Sequence, residues 1–255
     1  MSSTQVSKIA LIGSPNSGKS LLFNRLTGLN QKVANFPGIT VDIASGKSAD
    51  GNNIEYLDFP GVYSLQTISG EEKIAVQAFM SALQDDVLEA VICVVDCTRL
   101  EKGLIFALQV LEVCHRYNKP VLIAANMIDI LDVHDMHFNA ASLSEALKVS
   151  VLPVSAKTSA GLAEIPEALA QASVPPASFQ SDIIASDESI NHLHAQELAE
   201  KYGPKGDLLI KAQTRLDSFF LHSWLGGLSF FIIMYLLFQS IFTWAARVMD
   251  GFESI

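Results

Sequence analysis

Positive charge is scarce in this chain of 255 residues, which has 17 Lys and Arg against 27 Asp and Glu and a formal net charge of −10. Proteins that bind nucleic acid through its phosphates use clustered Lys and Arg, so this balance disfavours RNA or DNA as a partner. Cysteine is also rare. The three thiols, Cys93, Cys97 and Cys114, are an odd number without close pairing, which favours a reducing compartment and buried structural thiols over disulfides or a metal site.

The N-terminus lacks the apolar core of a signal peptide, whereas residues 218–246 lack any Asp, Glu, Lys or Arg. Residues 225–246 would cover about 33 Å as a helix, against a hydrocarbon thickness of about 30 Å. Trp224 and Trp244 lie near the two ends of this run, and basic residues precede it. We therefore expect a transmembrane helix over 224–246 with the N-terminal part in the cytoplasm, in a fragment of a longer membrane protein.

A complete phosphate-loop motif lies near the N-terminus: Gly13-Ser14-Pro15-Asn16-Ser17-Gly18-Lys19-Ser20. It follows an apolar run and precedes a helical pattern, in the order that the G-x-x-x-x-G-K-[ST] motif requires. The glycines let backbone N–H groups surround phosphates, Lys19 supplies positive charge, and the Ser20 hydroxyl can coordinate Mg²⁺. The motif predicts a nucleoside triphosphate site.

Apolar runs alternate with helical patterns along the first two thirds of the chain, which predicts an α/β fold with a doubly wound, six-stranded sheet. The strands are expected at 8–13, 41–47, 53–58, 89–96, 121–126 and 149–154. Helices are expected at 20–26, 71–83, 101–117, 142–148, 162–171, 186–202 and 207–222. The turn Asp50-Gly51-Asn52 predicts an antiparallel hairpin, and Ser142 with Glu145 predicts a capping box.

Two motifs after the fifth and sixth strands predict a guanine nucleotide, GTP or GDP. They are Asn126-Met127-Ile128-Asp129 and Ser155-Ala156-Lys157. The Asp129 carboxylate can accept hydrogen bonds from guanine N1–H and N2–H₂, which adenine does not offer, and a backbone N–H of 155–157 would reach guanine O6. Helix capping is the alternative for Asn126 and Asp129.

Two further segments carry candidate switch residues. In Asp58-Phe59-Pro60-Gly61, Asp58 can hold the Mg²⁺ shell and Gly61 can donate its N–H to the γ-phosphate. In Asn35-Phe36-Pro37-Gly38-Ile39-Thr40, Thr40 is the candidate second Mg²⁺ ligand. The γ-phosphate and Mg²⁺ would order that loop, and hydrolysis would release it. The alternative for 35–40 is a plain turn.

The phosphate loop, the 35–40 segment, the 58–65 segment and the Asn126–Asp129 motif together closely resemble FeoB-type ferrous-iron transporters of bacteria. The resemblance implies a Ras-like GTPase domain over 1–173 and a helical domain that stabilises GDP, with a connector, over 174–223. It also implies that 224–246 is the first helix of an iron permease in the bacterial inner membrane, with the rest of that permease as partner. A homo-oligomer stays open.

Val62 stands where Ras-like enzymes carry a water-positioning glutamine, so intrinsic hydrolysis should be slow. The similarity to potassium-activated GTPases implies that Asn16 helps to bind K⁺, whose charge acts where an arginine finger would. A hydrogen bond that stabilises the loop is the alternative for Asn16. The expected catalytic residues are thus Asn16, Lys19, Thr40 and Gly61.

Our leading hypothesis is GTP hydrolysis coupled to Fe²⁺ passage through a membrane. One rival is a soluble GTPase of ribosome or tRNA maturation, which would carry a basic appendage in place of the uncharged run. The other is a membrane-tethered regulatory GTPase that does not transport.

Overall fold

A seven-stranded sheet is the centre of the fold. The structure is a computed structural model that describes residues 7–29, 32–34, 43–66, 70–177, 188–204 and 225–253. The chain divides into two units, residues 1–205 and 206–255, and the first contains the sheet. The strands are β1 Ser7–Gly13, β2 Lys32–Ala34, β3 Ile43–Lys47, β4 Ile54–Asp58, β5 Ala90–Asp96, β6 Val121–Asn126 and β7 Ser150–Pro153. They lie in the order β2-β3-β4-β1-β5-β6-β7.

The sheet is parallel except at one edge. β1 pairs in parallel with β4 and β5, and β6 pairs in parallel with β5 and β7. β3 is antiparallel to both β2 and β4, and the Asp50-Gly51-Asn52 turn reverses the chain between β3 and β4. The loops after β1, β4, β6 and β7 therefore leave the sheet at the same edge, which is where a doubly wound sheet collects its ligand contacts.

Helices cover both faces of the sheet, and alternate residues of β1 face the two layers. The helices are α1 Lys19–Thr27, α2 Gly70–Gln84, α3 Leu100–Arg116, α4 Ile128–Val133, α5 Ala140–Leu147, α6 Ile165–Ala170, α7 Glu188–Tyr202 and α8 Leu225–Glu253. Ala10 and Ile12 lie in an apolar cluster with residues of α2, α3 and α5. Ile9 and Leu11 pack in a second cluster with residues of α1 and α6.

All six expected strands and the antiparallel hairpin are confirmed, and β2 is an additional edge strand. β2 has only three residues, too few for a recognisable alternating pattern. The expected capping box at Ser142 and Glu145 is wrong. α5 begins two residues earlier, and the Asn139 side chain accepts a hydrogen bond from the Ser142 backbone N–H at 3.0 Å.

The last helix of the first unit, α7, packs against α3. Its Ala195 and Leu198 are buried in the same apolar cluster as α3 residues Leu104 and Leu111. The helix expected at 207–222 lies outside the described residues. The separate helical domain over 174–223 therefore stays a prediction.

The second unit contains α8, 29 residues long. Within the parts of the chain that the structure describes, no helix qualifies by length and apolarity as a membrane span. The expected span over 224–246 is therefore not confirmed.

Candidate nucleotide-binding site

The phosphate-loop motif forms the connection between β1 and α1. Its backbone is left-handed at Asn16 and Gly18, with φ of 66° and 81°. A Cβ atom on Gly18 would lie 2.3 Å from Nδ2 of Asn126, so no larger residue fits there without displacing that side chain. The loop leads directly into the N-terminus of α1, where backbone N–H groups without helical partners and the helix dipole attract anions.

A cavity of about 330 Å³ opens above this loop. Gly61, from the loop after β4, lies against the phosphate loop: a Cβ on Gly61 would be 3.2 Å from the Pro15 nitrogen. The Val62 N–H donates to the Gly13 carbonyl at 3.3 Å. The cavity is lined by Ser14, Pro15, Asn16, Gly18, Lys19, Ser20, Leu21 and Gly61.

Lys19, which lines the cavity, forms an ion pair with Asp58, and the two side chains are 7% and 13% exposed. Burial raises the pKa of the Asp58 carboxyl, and the neighbouring Lys19 ammonium opposes that shift. The pair is held by two different elements, since Lys19 begins α1 and Asp58 ends β4. The structure thus brings together a cation for phosphate and a carboxylate from the two motifs that were expected to supply them.

The donor set at this end suits Mg²⁺, which prefers hard oxygen ligands and retains water. Ser20, in the first turn of α1, is exposed and lines the cavity, and Asp58 reaches the same end through Lys19. Thr40 and the rest of 35–40 lie outside the described residues. In the described ranges, no group of three or more His, Cys, Asp or Glu side chains could hold a metal ion, and all three cysteines are buried free thiols.

Asn126 joins the phosphate loop to the loop after β7. Its side chain is 2% exposed. Nδ2 donates to the Ser17 carbonyl at 2.9 Å, and Oδ1 accepts from the Ala156 N–H at 2.9 Å. Met127, at φ 73°, occupies the N-cap position of α4 without a side-chain cap. Helix capping, the alternative for Asn126, is therefore wrong: its amide links two loops that are distant in sequence.

Asp129 lies in the first turn of α4 with its carboxylate oriented by the loop after β7. The Ser155 hydroxyl donates to Oδ1 at 2.7 Å and accepts from the Thr158 N–H at 3.1 Å. Lys157 Nζ lies 3.8 Å from Oδ2. The carboxylate is 15% exposed and retains acceptor capacity, because each of its oxygens can accept two hydrogen bonds.

Two neighbours of this network were missed by the sequence analysis. Arg25 of α1 donates from Nε to the Ala156 carbonyl at 3.2 Å and from Nη2 to the Lys157 carbonyl at 3.4 Å. Cys97 donates its thiol proton to the Asn126 carbonyl at 2.7 Å, and burial raises its pKa to about 12. Neither residue belongs to a recognisable motif, so no signal in the sequence marked them.

Comparisons with known proteins agree with this arrangement. The family model described as ferrous iron transport protein B matches residues 7–169. The Fe(2+) transporter FeoB of Campylobacter jejuni is 35% identical over 97% of this chain, but the chain spans only 40% of that relative's length.

Two solved structures give the same assignment. A mutant of the S. thermophilus NFeoB bound to GDP shares 31% identity, each chain being covered to 82%, with a TM-score of 0.58. The mGMPPNP-bound NFeoB from S. thermophilus shares 40% identity over 65% of this chain and 61% of the other, with a TM-score of 0.54. The resemblance inferred from the motifs is confirmed, and the chain belongs to the family of ferrous iron transport protein B.

Proposed function

We propose that this chain is the cytoplasmic GTPase region of a bacterial ferrous-iron transporter, which binds GTP and hydrolyses it to GDP and phosphate. The observation that carries the proposal is the pair of hydrogen bonds made by Asn126, which fixes the guanine motif directly against the phosphate loop. A ligand that contacts both ends must combine a guanine-like base with a polyphosphate. The relatives crystallised with GDP and mGMPPNP support the same ligand class.

At the base end, Asp129 accepts the N1–H and N2–H₂ groups of guanine, and Ser155 keeps the carboxylate oriented for that pairing. A backbone N–H of the 155–157 loop would donate to guanine O6. Those of Ser155 and Ala156 already donate to the Ala160 carbonyl and to Asn126 Oδ1, which favours that of Lys157. Asn126 acts on the base indirectly, since it holds Ala156 and Ser17 in register. ATP would leave the partly buried Asp129 carboxylate without its two donors, which is a strong basis for rejecting it.

At the phosphate end, the N–H groups of the 13–20 loop and the Lys19 ammonium bind the phosphate oxygens. Ser20, Thr40 and Asp58 would hold Mg²⁺, which would supply positive charge during phosphoryl transfer. Gly61 would donate its backbone N–H to the γ-phosphate. With nucleotide bound, the Lys19 ammonium would contact phosphate instead of Asp58, and the Asp58 carboxylate would then be available as a metal ligand.

Val62 offers no group that could orient water, and it is buried at 1% exposure, so we expect slow hydrolysis with K⁺ as activator. Asn16 is exposed, lines the cavity and has no hydrogen-bond partner for its side chain among the described residues. That geometry favours the role in K⁺ binding over the loop-stabilising alternative. The chain would thus use Asn16, Lys19, Thr40 and Gly61 for catalysis.

Iron transport is proposed for the longer protein of which this chain matches one part. The C. jejuni relative is named an Fe(2+) transporter, and the chain spans 40% of it. We propose domains over 1–173 and 174–223 on the cytoplasmic side of the inner membrane, with Fe²⁺ passing through the remainder of the permease. GTP binding or hydrolysis would gate or drive that passage.

Phosphate release from GTP and from ATP, with Mg²⁺, tests the enzymatic part of the proposal. We expect turnover of GTP and none of ATP, and loss of turnover in Asp58→Asn. The transport part is tested in the full-length protein by radioactive iron uptake: Lys19→Ala should abolish uptake while the protein remains in the membrane. Undiminished uptake would contradict the coupling of GTP hydrolysis to transport and would favour a membrane-tethered regulatory GTPase.

A further inference from the structure

Helix α3 contains one amide side chain within an apolar stretch. Gln109 is 5% exposed, and its neighbours Leu108, Val110 and Leu111 are all buried. An amide at such a position is destabilising unless it finds hydrogen-bond partners. The hydrogen-bond partners of Gln109 therefore indicate its role.

Both partners belong to the segment that follows Asp58-Phe59-Pro60-Gly61. Gln109 Oε1 accepts from the Leu65 backbone N–H at 2.7 Å and from the Ser64 hydroxyl at 3.1 Å. The Ser64 oxygen in turn accepts from the Gln66 N–H at 3.1 Å. Gln109 thus acts here as an acceptor, and its carbonyl oxygen gathers two donors that lie 44 and 45 residues away in sequence.

The opposite end of the same segment is attached to β1. The Phe59 N–H donates to the Leu11 carbonyl at 3.1 Å, and the Val62 N–H donates to the Gly13 carbonyl at 3.3 Å. Gly61 lies between these two attachments, at the wall of the phosphate cavity. Gln109 holds Ser64 and Leu65 just beyond Val62, so the segment that carries Gly61 is attached both to the sheet and to α3.

We propose that Gln109 is a positioning residue for recognition of the third phosphate. By holding Ser64 and Leu65, it fixes the backbone that presents the Gly61 N–H to the γ-phosphate. This inference rests on the proposed function, in which Gly61 contacts GTP but not GDP. Loss of the Gln109 acceptor should therefore weaken GTP binding and leave GDP binding intact.

The test compares Gln109→Met, which retains length but removes the acceptor, with Gln109→Glu, which retains an acceptor oxygen. Gln196→Met, at an exposed position of α7, is the matched control. Dissociation constants are measured with Mg²⁺ for fluorescent GDP and for a non-hydrolysable GTP analogue. We expect Gln109→Met to weaken the analogue by about 10-fold and GDP by less than about 2-fold. The control should match the parent, and Gln109→Glu should lose less affinity for the analogue than Gln109→Met, because it keeps the acceptor although it buries a carboxyl group.

Equal weakening of both nucleotides by Gln109→Met would reduce Gln109 to a structural residue and overturn the inference. An unchanged analogue affinity, or the same loss in Gln109→Glu, would also overturn it. If Gln109→Met does not fold, Ser64→Ala removes one of the two donors at a half-buried position. It should weaken the analogue alone by about 3-fold, and no change there would overturn the inference. A parent chain that binds neither nucleotide would instead refute the proposed function.

Discussion

The two ends of the candidate site are held by different forces. At the base end, Asn126, Asp129 and Ser155 are fixed by hydrogen bonds among side chains and backbone at 2.7–2.9 Å. At the phosphate end, Lys19 and Asp58 are opposite charges paired with each other and withdrawn from water. The first arrangement can accept a base without breaking any of these bonds, whereas the second must exchange partners when phosphate and Mg²⁺ bind.

This difference separates specificity from affinity. A preorganised hydrogen-bonding pocket discriminates between bases because a wrong base leaves buried groups unpaired. At the phosphate end, binding must break an ion pair. The affinity then depends on how well the contact of Lys19 with phosphate and the contact of Asp58 with the metal ion replace that pair. Substitutions at the two ends should therefore have separable effects.

The largest effect is expected at the phosphate end. Lys19→Ala removes the phosphate cation and leaves Asp58 buried without its partner, so affinity for GTP and GDP should fall by about 100-fold or more. Titration of labelled nucleotides measures the loss. Lys102→Ala removes the same charge from an exposed position of α3 and should bind as the parent does. A Lys19→Ala variant with parental affinity would contradict the assigned role.

At the base end, the effect should fall on selectivity. The parent should prefer GDP over ADP by about 100-fold or more, and Asp129→Asn should relax that preference because an amide cannot accept both guanine donors. Asp132→Asn changes an exposed carboxylate of the same helix and is the control. Comparable GDP and ADP affinities in the parent would invalidate the guanine assignment.

A smaller effect at both ends is expected for Asn126→Ala, because this residue connects them. The substitution leaves the Ser17 carbonyl and the Ala156 N–H without their partner, which should cost about 1–3 kcal/mol of unfolding free energy and weaken nucleotide binding by about 10-fold. Denaturant unfolding and GDP titration measure the two losses. Asn139→Ala removes the cap of α5 and should lower stability by about 1 kcal/mol without changing GDP affinity.

The smallest change in binding is expected for Asn16. Its substitution should alter only how the rate of GTP hydrolysis depends on the monovalent cation. GTP hydrolysis should be faster in K⁺ than in Na⁺, and Asn16→Gly should remove this difference at unchanged GDP affinity. Glycine is suited to the φ of 66° at this position, whereas alanine would add backbone strain. Steady-state rates in matched chloride buffers decide the matter, and equal rates for the parent would exclude a K⁺ role.

The sequence allowed those parts of the site to be predicted in which the chemistry requires particular residue types within a short segment. The phosphate loop, Asp58 to Gly61 and Asn126 to Asp129 were located because each follows a buried strand. Arg25 and Gln109 were not located, since their contacts join residues 131 and 44 apart in sequence. Local patterns do not encode such pairings. The error at α5 has a related cause, because Asn139 and Ser142 are both good caps and only the packed helix decides between them.

The central position of β1 also constrains how the chain folds during synthesis. β1 leaves the ribosome before both of its partners, β4 and β5, which end at Asp58 and Asp96. At roughly 5–20 residues per second, the nascent chain waits seconds for the second partner. Because Gly13 pairs with Val94 of β5, we expect the phosphate loop that follows β1 to acquire its shape only after β5 has emerged. Nucleotide binding by the nascent chain would then indicate that the centre of the sheet is complete.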